Sequence, residues 1–291
     1  MVKRAVWVCL ACCLLMIQPC AAFDWQDLHN QADSLTLSQA QAKADAAEAS
    51  AAQQYVLALV YLNLYRDQDA EAIFDRLRQE NKDSIEGLWG KAEVLRRRHR
   101  SQEAQNLLEQ ALAQDARFAP ALNSLAYIKY YQADYKGAVN LALKVIQQGK
   151  EKVDLSNYVR ALAMYAGAKG MLAHYGGVLS KAIDGLAVKT NLDKAQRLQP
   201  NSPAVLFGLG SYYLLAPAIA GGDKEQAGNY LKQAVGADPL FADAYVRLGQ
   251  LARIKGNQKE YDDYLKQALD IDPQNELALD SQSGRCKFIC P

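Results

Sequence analysis

From Ala51 onward apolar residues recur every three or four positions, the spacing that gathers them on one face of an α-helix. The pattern returns with a period of 34: Ala70, Ala104 and Ala138 are equally spaced, and so are Leu57, Lys91 and Leu125 on the preceding segments. A fixed period in this range predicts stacked helical hairpins, each too small to bury its apolar face alone. The small residues have a packing reason, because antiparallel helices approach closely only where side chains are short. Ala58 is matched to Ala70, Ala92 to Ala104 and Ala126 to Ala138, with Gly249 in the same role near the end. Leu57, Tyr61, Phe74 and Leu77 then fill the space between hairpins. Pro200, Pro239 and Pro273 close the late hairpins, where the ring cannot continue a helix.

These residues resemble the tetratricopeptide repeat, whose signature is large, large, small, Tyr on helix A and Ala, aromatic, Ala, Pro on helix B. The last unit carries it most fully, in Tyr245, Leu248, Gly249, Ala268 and Pro273. The resemblance implies an all-α, right-handed superhelical solenoid of about six hairpins, at residues 51–84, 85–118, 119–152, 153–202, 203–241 and 242–275. Lys91 and Lys129 stand where the family usually has apolar or aromatic residues, and units one to three lack the terminal Pro.

Two consecutive units are longer than 34 residues. Unit four holds Gly167, Gly170, Gly176 and Gly177, and unit five has extra residues at 216–222; in both, the excess falls mainly between helix A and helix B. Such turns project from one edge of a solenoid, so the two insertions should be neighbours in space. In unit five Pro217 bars continuation of helix A, Gly221 and Gly222 permit positive φ, and Asp223 with Gln226 has the spacing of a capping box. Leu214, Leu215 and Ile219 suit either a packed loop or an apolar lip over the groove. The unit-four segment is either a long hairpin turning at its glycines or a place where His174 and Tyr175 offer a polar handle beside that lip. The turn at Tyr175, Gly176 and Gly177 and the run from Gly208 to Asp223 are similar to exported bacterial repeat proteins related to the tetratricopeptide component of TRAP-type solute transporters. That resemblance implies a partner protein, such as a substrate-binding protein, and an apolar small-molecule cleft.

In this repeat class helix A positions 2, 5, 9 and 12 line the inner wall. Position 5 reads Tyr55, Trp89, Asn123, Phe207 and Val246, and position 9 reads Leu59, Glu93, Tyr127, Ser211 and Gln250. Tyr55, Trp89, Tyr127 and Phe207 are therefore candidate anchors for a protein or peptide partner, with His174, Tyr175, Leu214 and Ile219 as candidates on the glycine-rich edge. The competing reading is that superhelical packing or the N-terminal segment covers them. Residues 23–50 are read as a helical cap or arm whose Trp25 docks in the first turn of the groove. The Lys, Asn and Arg clamp of carboxylate-gripping co-chaperone repeats is missing from Ala52, Tyr55, Leu59 and Leu62.

The chain opens with Lys3 and Arg4, an apolar stretch from Ala5 to Ile17 and small residues before Phe23, which reads as a signal peptide over residues 1–22 and an exported, periplasmic protein. A lipid anchor at Cys20 is the less favoured alternative, because Gln18 and Pro19 fit that processing site poorly. The apolar stretch falls short of the roughly 20 residues of a membrane span, and no span is expected in the mature chain. Loss of Lys3 and Arg4 would turn 33 basic and 32 acidic residues into 31 and 32, which argues against nucleic acid as a partner. Of the six cysteines only Cys286 and Cys290 would remain, in a tail after a capping helix over residues 276–291. They could close a local disulfide or pair between molecules. His29, His99 and His174 lie in separate segments without a second ligand, so no metal is expected. The run Arg96–Arg100 reads as a solvated helix end. With no phosphate loop, no acid–base constellation and no cofactor motif, the chain reads as a binding protein and not an enzyme.

Overall fold

The computed structural model describes residues 24–46 and 49–291; residues 1–22, read above as a signal peptide, with Cys20 among them, and Phe23 lie outside these. Fifteen α-helices and no strand are found among the described residues. Six hairpins follow one another: α3 (Ala51–Asn63) with α4 (Asp67–Glu80), α5 (Ile85–Arg97) with α6 (Ser101–Gln114), α7 (Ala119–Tyr131) with α8 (Tyr135–Gln148), α9 (Leu155–Tyr175) with α10 (Val178–Leu198), α11 (Pro203–Leu215) with α12 (Lys224–Ala237), and α13 (Ala242–Ile254) with α14 (Gln258–Ile271). They are preceded by α1 (Trp25–Ser34) and α2 (Leu37–Ala44) and followed by α15 (Glu276–Ser283).

Local sequence accounts for the helix ends. Ser50, Ser84, Asp134, Asp154 and Asn275 each accept a backbone N–H of the first turn, and Ser50 forms a reciprocal box with Gln53. Asp223 caps α12 through the amides of Glu225 and Gln226, but the Gln226 side chain donates to the Asp223 carboxylate and not back to the cap backbone, so the expected box is incomplete. The matched alanines 58, 70, 92, 104, 126 and 138 are fully buried, as close helix approach requires. Gly90 belongs to the same seam: a methyl group there would lie 2.2 Å from the Phe74 ring. Lys91, out of place in an apolar register, pairs across the hairpins with Glu71 at 2.7 Å and Asp75 at 2.8 Å.

The extra length of unit four is helical. α9 and α10 have 21 residues each against 13 and 14 in the first three units, and the turn between them is Gly176–Gly177 alone. At 1.5 Å per residue the pair extends about 10 Å beyond its neighbours. In unit five the extra residues form a 3-10 turn, Ala218–Ala220, ended by Gly221 at φ 89°. A methyl group on Gly222 would meet the Ala216 carbonyl oxygen at 1.9 Å, so a side chain is sterically barred there.

The solenoid closes on itself. Tyr65, between α3 and α4, donates to Asp238 beyond α12, and His99, between α5 and α6, bonds Asp272 beyond α14 at 2.9 Å. On the other side of the closure, one apolar cluster joins Tyr135 and Met171 of units three and four to Tyr245, Val246, Leu277 and Phe288. No helix among the described residues is long and apolar enough to cross a membrane.

Candidate functional site

The concave face divides into a filled part and an open part. In the filled part α1 crosses the inner wall. His29 Nε2 is hydrogen-bonded to Tyr55 Oη at 2.9 Å and its ring packs 5.4 Å from Trp89, while Trp25 meets Phe118 edge-on at 5.6 Å. At the far end of α1, Ser156 Oγ donates to Asp33 at 2.5 Å. Burial, with the Arg160 charge adding to it, lowers the His29 pKa to about 3, so the ring is neutral in this contact.

Tyr55 and Trp89, 1 % and 4 % exposed, are therefore core residues and not open anchors. The N-terminal segment covers them, and Trp89 Nε1 donates to Ser124 at 3.1 Å, which satisfies its one polar group. Leu214 is corrected in the same way: it is fully buried with Ala227 and Leu251 beneath the unit-five turn.

The open part is a hollow of about 1650 Å³ bounded by units one to six and the C-terminal tail. Tyr127 and Phe207 lie on its wall, His174 and Ile219 stand at its edge, and Phe207 also packs 5.0 Å from Phe241. Both insertions border this one hollow, through Lys181, Gly185 and Leu186 of α10 and Pro217 and Ile219 of the 3-10 turn. Ile219 is 99 % exposed and Leu186 76 %, so the mouth carries an apolar edge at these two residues; Val178, Leu179 and Ile183 of α10 are exposed as well but do not line the hollow. Tyr175 does not line the hollow. It stacks on Tyr135 at 6.2 Å and donates to the Lys287 carbonyl at 2.8 Å, tying unit four to the tail.

Charged residues of both signs stand around the wall. Arg96, Arg97 and Arg160 line it together with Asp67 and Glu93, and Asp243, Asp272 and Glu276 line it together with Arg247. The basic run is not a solvated helix end. Arg96 pairs with buried Glu93 at 2.6 Å and lies 4.2 Å over the Tyr127 ring, Arg97 donates to Asp67 at 2.8 Å, and Arg98 reaches Glu71 at 2.6 Å. Burial alone would raise the Glu93 carboxyl, but the Arg96 guanidinium together with the Arg97 and Arg160 charges outweighs it and holds the group well below the usual carboxylate range. Arg160 makes no ion pair or hydrogen bond among the described residues and is exposed on the wall. Burial raises the Asp243 carboxyl despite hydrogen bonds from Asn275 Nδ2 at 2.7 Å and Tyr131 Oη at 2.9 Å. Glu276 is raised by burial as well.

The tail seals one flank of the hollow. Cys286 and Cys290 are joined in a disulfide with a Cα separation of 5.0 Å, and Phe288 at its apex packs 5.9 Å from Tyr130 and 5.1 Å from Tyr131. Buried Arg247 donates to the carbonyls of Phe288 at 2.9 Å and Ile289 at 2.8 Å, and Asp280 accepts the amides of Lys287 and Phe288, both at 2.9 Å. Arg247, Asp243 and Asp280 escaped sequence reasoning, since each stands on a helix with an ordinary amphipathic pattern.

This geometry defines an all-helical repeat scaffold with an internal hollow. Residues 242–275 match the family model of the tetratricopeptide repeat. The chain is similar to the crystal structure of the APC/C hetero-tetramer Cut9–Hcn1, with a TM-score of 0.61 and 11 % identity over 90 % of this chain and 49 % of that one. It is similar to a tetratricopeptide repeat protein from Parabacteroides merdae, at a TM-score of 0.53 and 15 % identity over 88 % and 91 % of the two chains. The type IV pilus biogenesis factor PilW gives a TM-score of 0.50 at 16 % identity, over 80 % and 98 %. No curated protein matches the sequence. One unit of the solenoid thus matches the tetratricopeptide repeat, and at these identities the structural likenesses show a helical-repeat fold alone.

Proposed function

We propose that this chain is an exported, periplasmic scaffold that binds a segment of a partner protein in the hollow enclosed by its six units. The observation that carries the reading is the pairing of an aromatic wall, Tyr127 and Phe207, with the exposed apolar edge at Leu186 and Ile219 on the one stretch of inner wall that α1 leaves open. Aromatic side chains with little conformational freedom are what a partner's apolar segment would bury. Arg160 adds an unpaired cation for an acidic group on that segment. Such scaffolding is typical of the repeat fold and asks for no catalytic group.

A second reading has its own support. Because the solenoid closes, the hollow is bounded on most sides, and closure suits an enclosed apolar small molecule better than a long peptide. Its volume exceeds the roughly 300–1,000 Å³ of most small-ligand sites, so such a ligand would be large or accompanied by water. The TRAP-associated role implied by the Tyr175–Gly177 turn would use the same hollow.

The test is photo-crosslinking from position 207 in intact cells, repeated with Tyr127→Ala. A discrete crosslinked protein that weakens in the variant at unchanged helicity supports the scaffold reading, and equal capture by both overturns it. Native mass spectrometry of the purified protein separates the second reading, which requires a stoichiometric bound small molecule.

A further inference from the structure

The two contacts that close the solenoid share one register. Tyr65 and His99 occupy the same place in consecutive hairpins, 34 residues apart, and Asp238 and Asp272 are likewise 34 apart at the ends of α12 and α14. Tyr65 donates to Asp238 and His99 bonds Asp272, so both contacts join residues 173 positions apart. They form two rungs of one ladder, unit one to unit five and unit two to unit six.

The backbone shows what the rungs require. Tyr65 and His99 have φ of 57° and 59°, in the left-handed region that costs an L residue, whereas unit six meets the same turn with Gly256 at φ 77°. Ala133 at φ 63° shows that the turn tolerates an ordinary residue, so φ alone does not select Tyr or His. Reach does. Arg97 stacks 5.4 Å from the Tyr65 ring and steadies it, and the carboxylates are oriented by their own turns, Asp238 through the Leu240 amide at 3.0 Å and Asp272 through the Gln274 amide at 3.1 Å.

The two flanks of the closure differ in strength. The tail flank is a buried core around Phe288, Tyr130 and Tyr131. The ladder flank is two polar contacts at the rim: Tyr65 is 47 % exposed, and His99 and Asp272 are partly exposed. Polar contacts in water each contribute little and re-form readily. We infer that the Tyr65–Asp238 and His99–Asp272 rungs are a releasable latch, and that the hollow takes up its ligand when the seam between units one–two and units five–six parts about the tail flank. The inference rests on the hollow being the binding site.

Hydrogen exchange of the full chain tests the latch without any ligand. In Tyr65→Phe/His99→Ala, the amides of Asp238, Leu240, Phe241, Asp272, Gln274 and Asn275 should exchange about fivefold faster per rung lost, equivalent to about 1 kcal/mol each, while α7 and α9 are unchanged. Tyr65→Gly/His99→Gly should open the same seam although glycine suits both turns. Unchanged exchange across the seam in both pairs overturns the latch. Uptake is read with anilinonaphthalene sulfonate as the probe: the rate of its fluorescence rise should increase by the same factor at an unchanged final level. A faster seam with an unchanged rate would show that the ligand enters elsewhere and overturn the gating. If the probe fails to bind the wild type, the hollow reading fails, and the exchange result still decides the latch.

Discussion

Units one and two and unit five present equivalent helix A positions to one concave face, yet these positions meet opposite fates. Tyr55 and Trp89 are sealed beneath α1, whereas Phe207 opens onto the hollow. The residue types are alike; the difference comes from a ten-residue helix that carries no repeat signature. An aromatic on the inner wall is thus a core residue or a binding residue according to what the chain folds over it.

The largest effect expected from this contrast is on stability. Trp89→Ala should cost about 3–5 kcal/mol, the loss typical of a buried large aromatic, because its ring meets His29, Tyr55, Phe74 and Phe118. Phe207→Ala, half-buried on the hollow, should cost markedly less in the same urea titration and be felt in capture. Equal losses would erase the distinction between the two parts.

Acid should loosen the filled part selectively. The His29 pKa of about 3 in the folded chain lies below the ordinary 6.5. Its contribution is therefore complete above pH 6.5 and is lost as pH falls toward 3, amounting to about 2–3 kcal/mol by pH 4.5. Unfolding free energies at pH 7 and pH 4.5 measure this, and His29→Gln should flatten the slope. The Glu93 carboxyl, held low by Arg96, adds a loss of the same sign only as pH drops below the ordinary carboxylate range.

The tail comes next. Cys286→Ser/Cys290→Ser removes a closure of only four residues in sequence separation and should lower stability by about 2 kcal/mol, with Phe288 freed from Tyr130 and Tyr131. The smallest effect is at the edge of the hollow. Ile219→Ser should change stability by no more than about 0.5 kcal/mol yet weaken capture, and calorimetry beside a binding assay separates the two.

The hairpins were legible because their physics is local. Spaced alanines such as Ala58 and Ala70, and Pro239 and Pro273 after helix B, state the helix, its partner and its end within one period. The tail and the closure were not, since nothing near Asp243 or Arg247 reveals that Tyr131 or Phe288 lies opposite. α1 was readable as a cap, but its depth depends on Trp25 and His29 meeting three aromatics from two units, Tyr55, Trp89 and Phe118. One signal for closure was in reach: Tyr65 and His99 where unit six has Gly256, echoed at the same spacing by Asp238 and Asp272.

Open repeat arrays lengthen or shorten by gene duplication with little penalty, since each unit meets only its neighbours. Here the rungs at Tyr65 and His99 must face Asp238 and Asp272, so one unit inserted or deleted between them would carry every partner past its mate. The copy number of this chain is accordingly set by its circumference, and its evolution should proceed by changing side chains and turn lengths within six units.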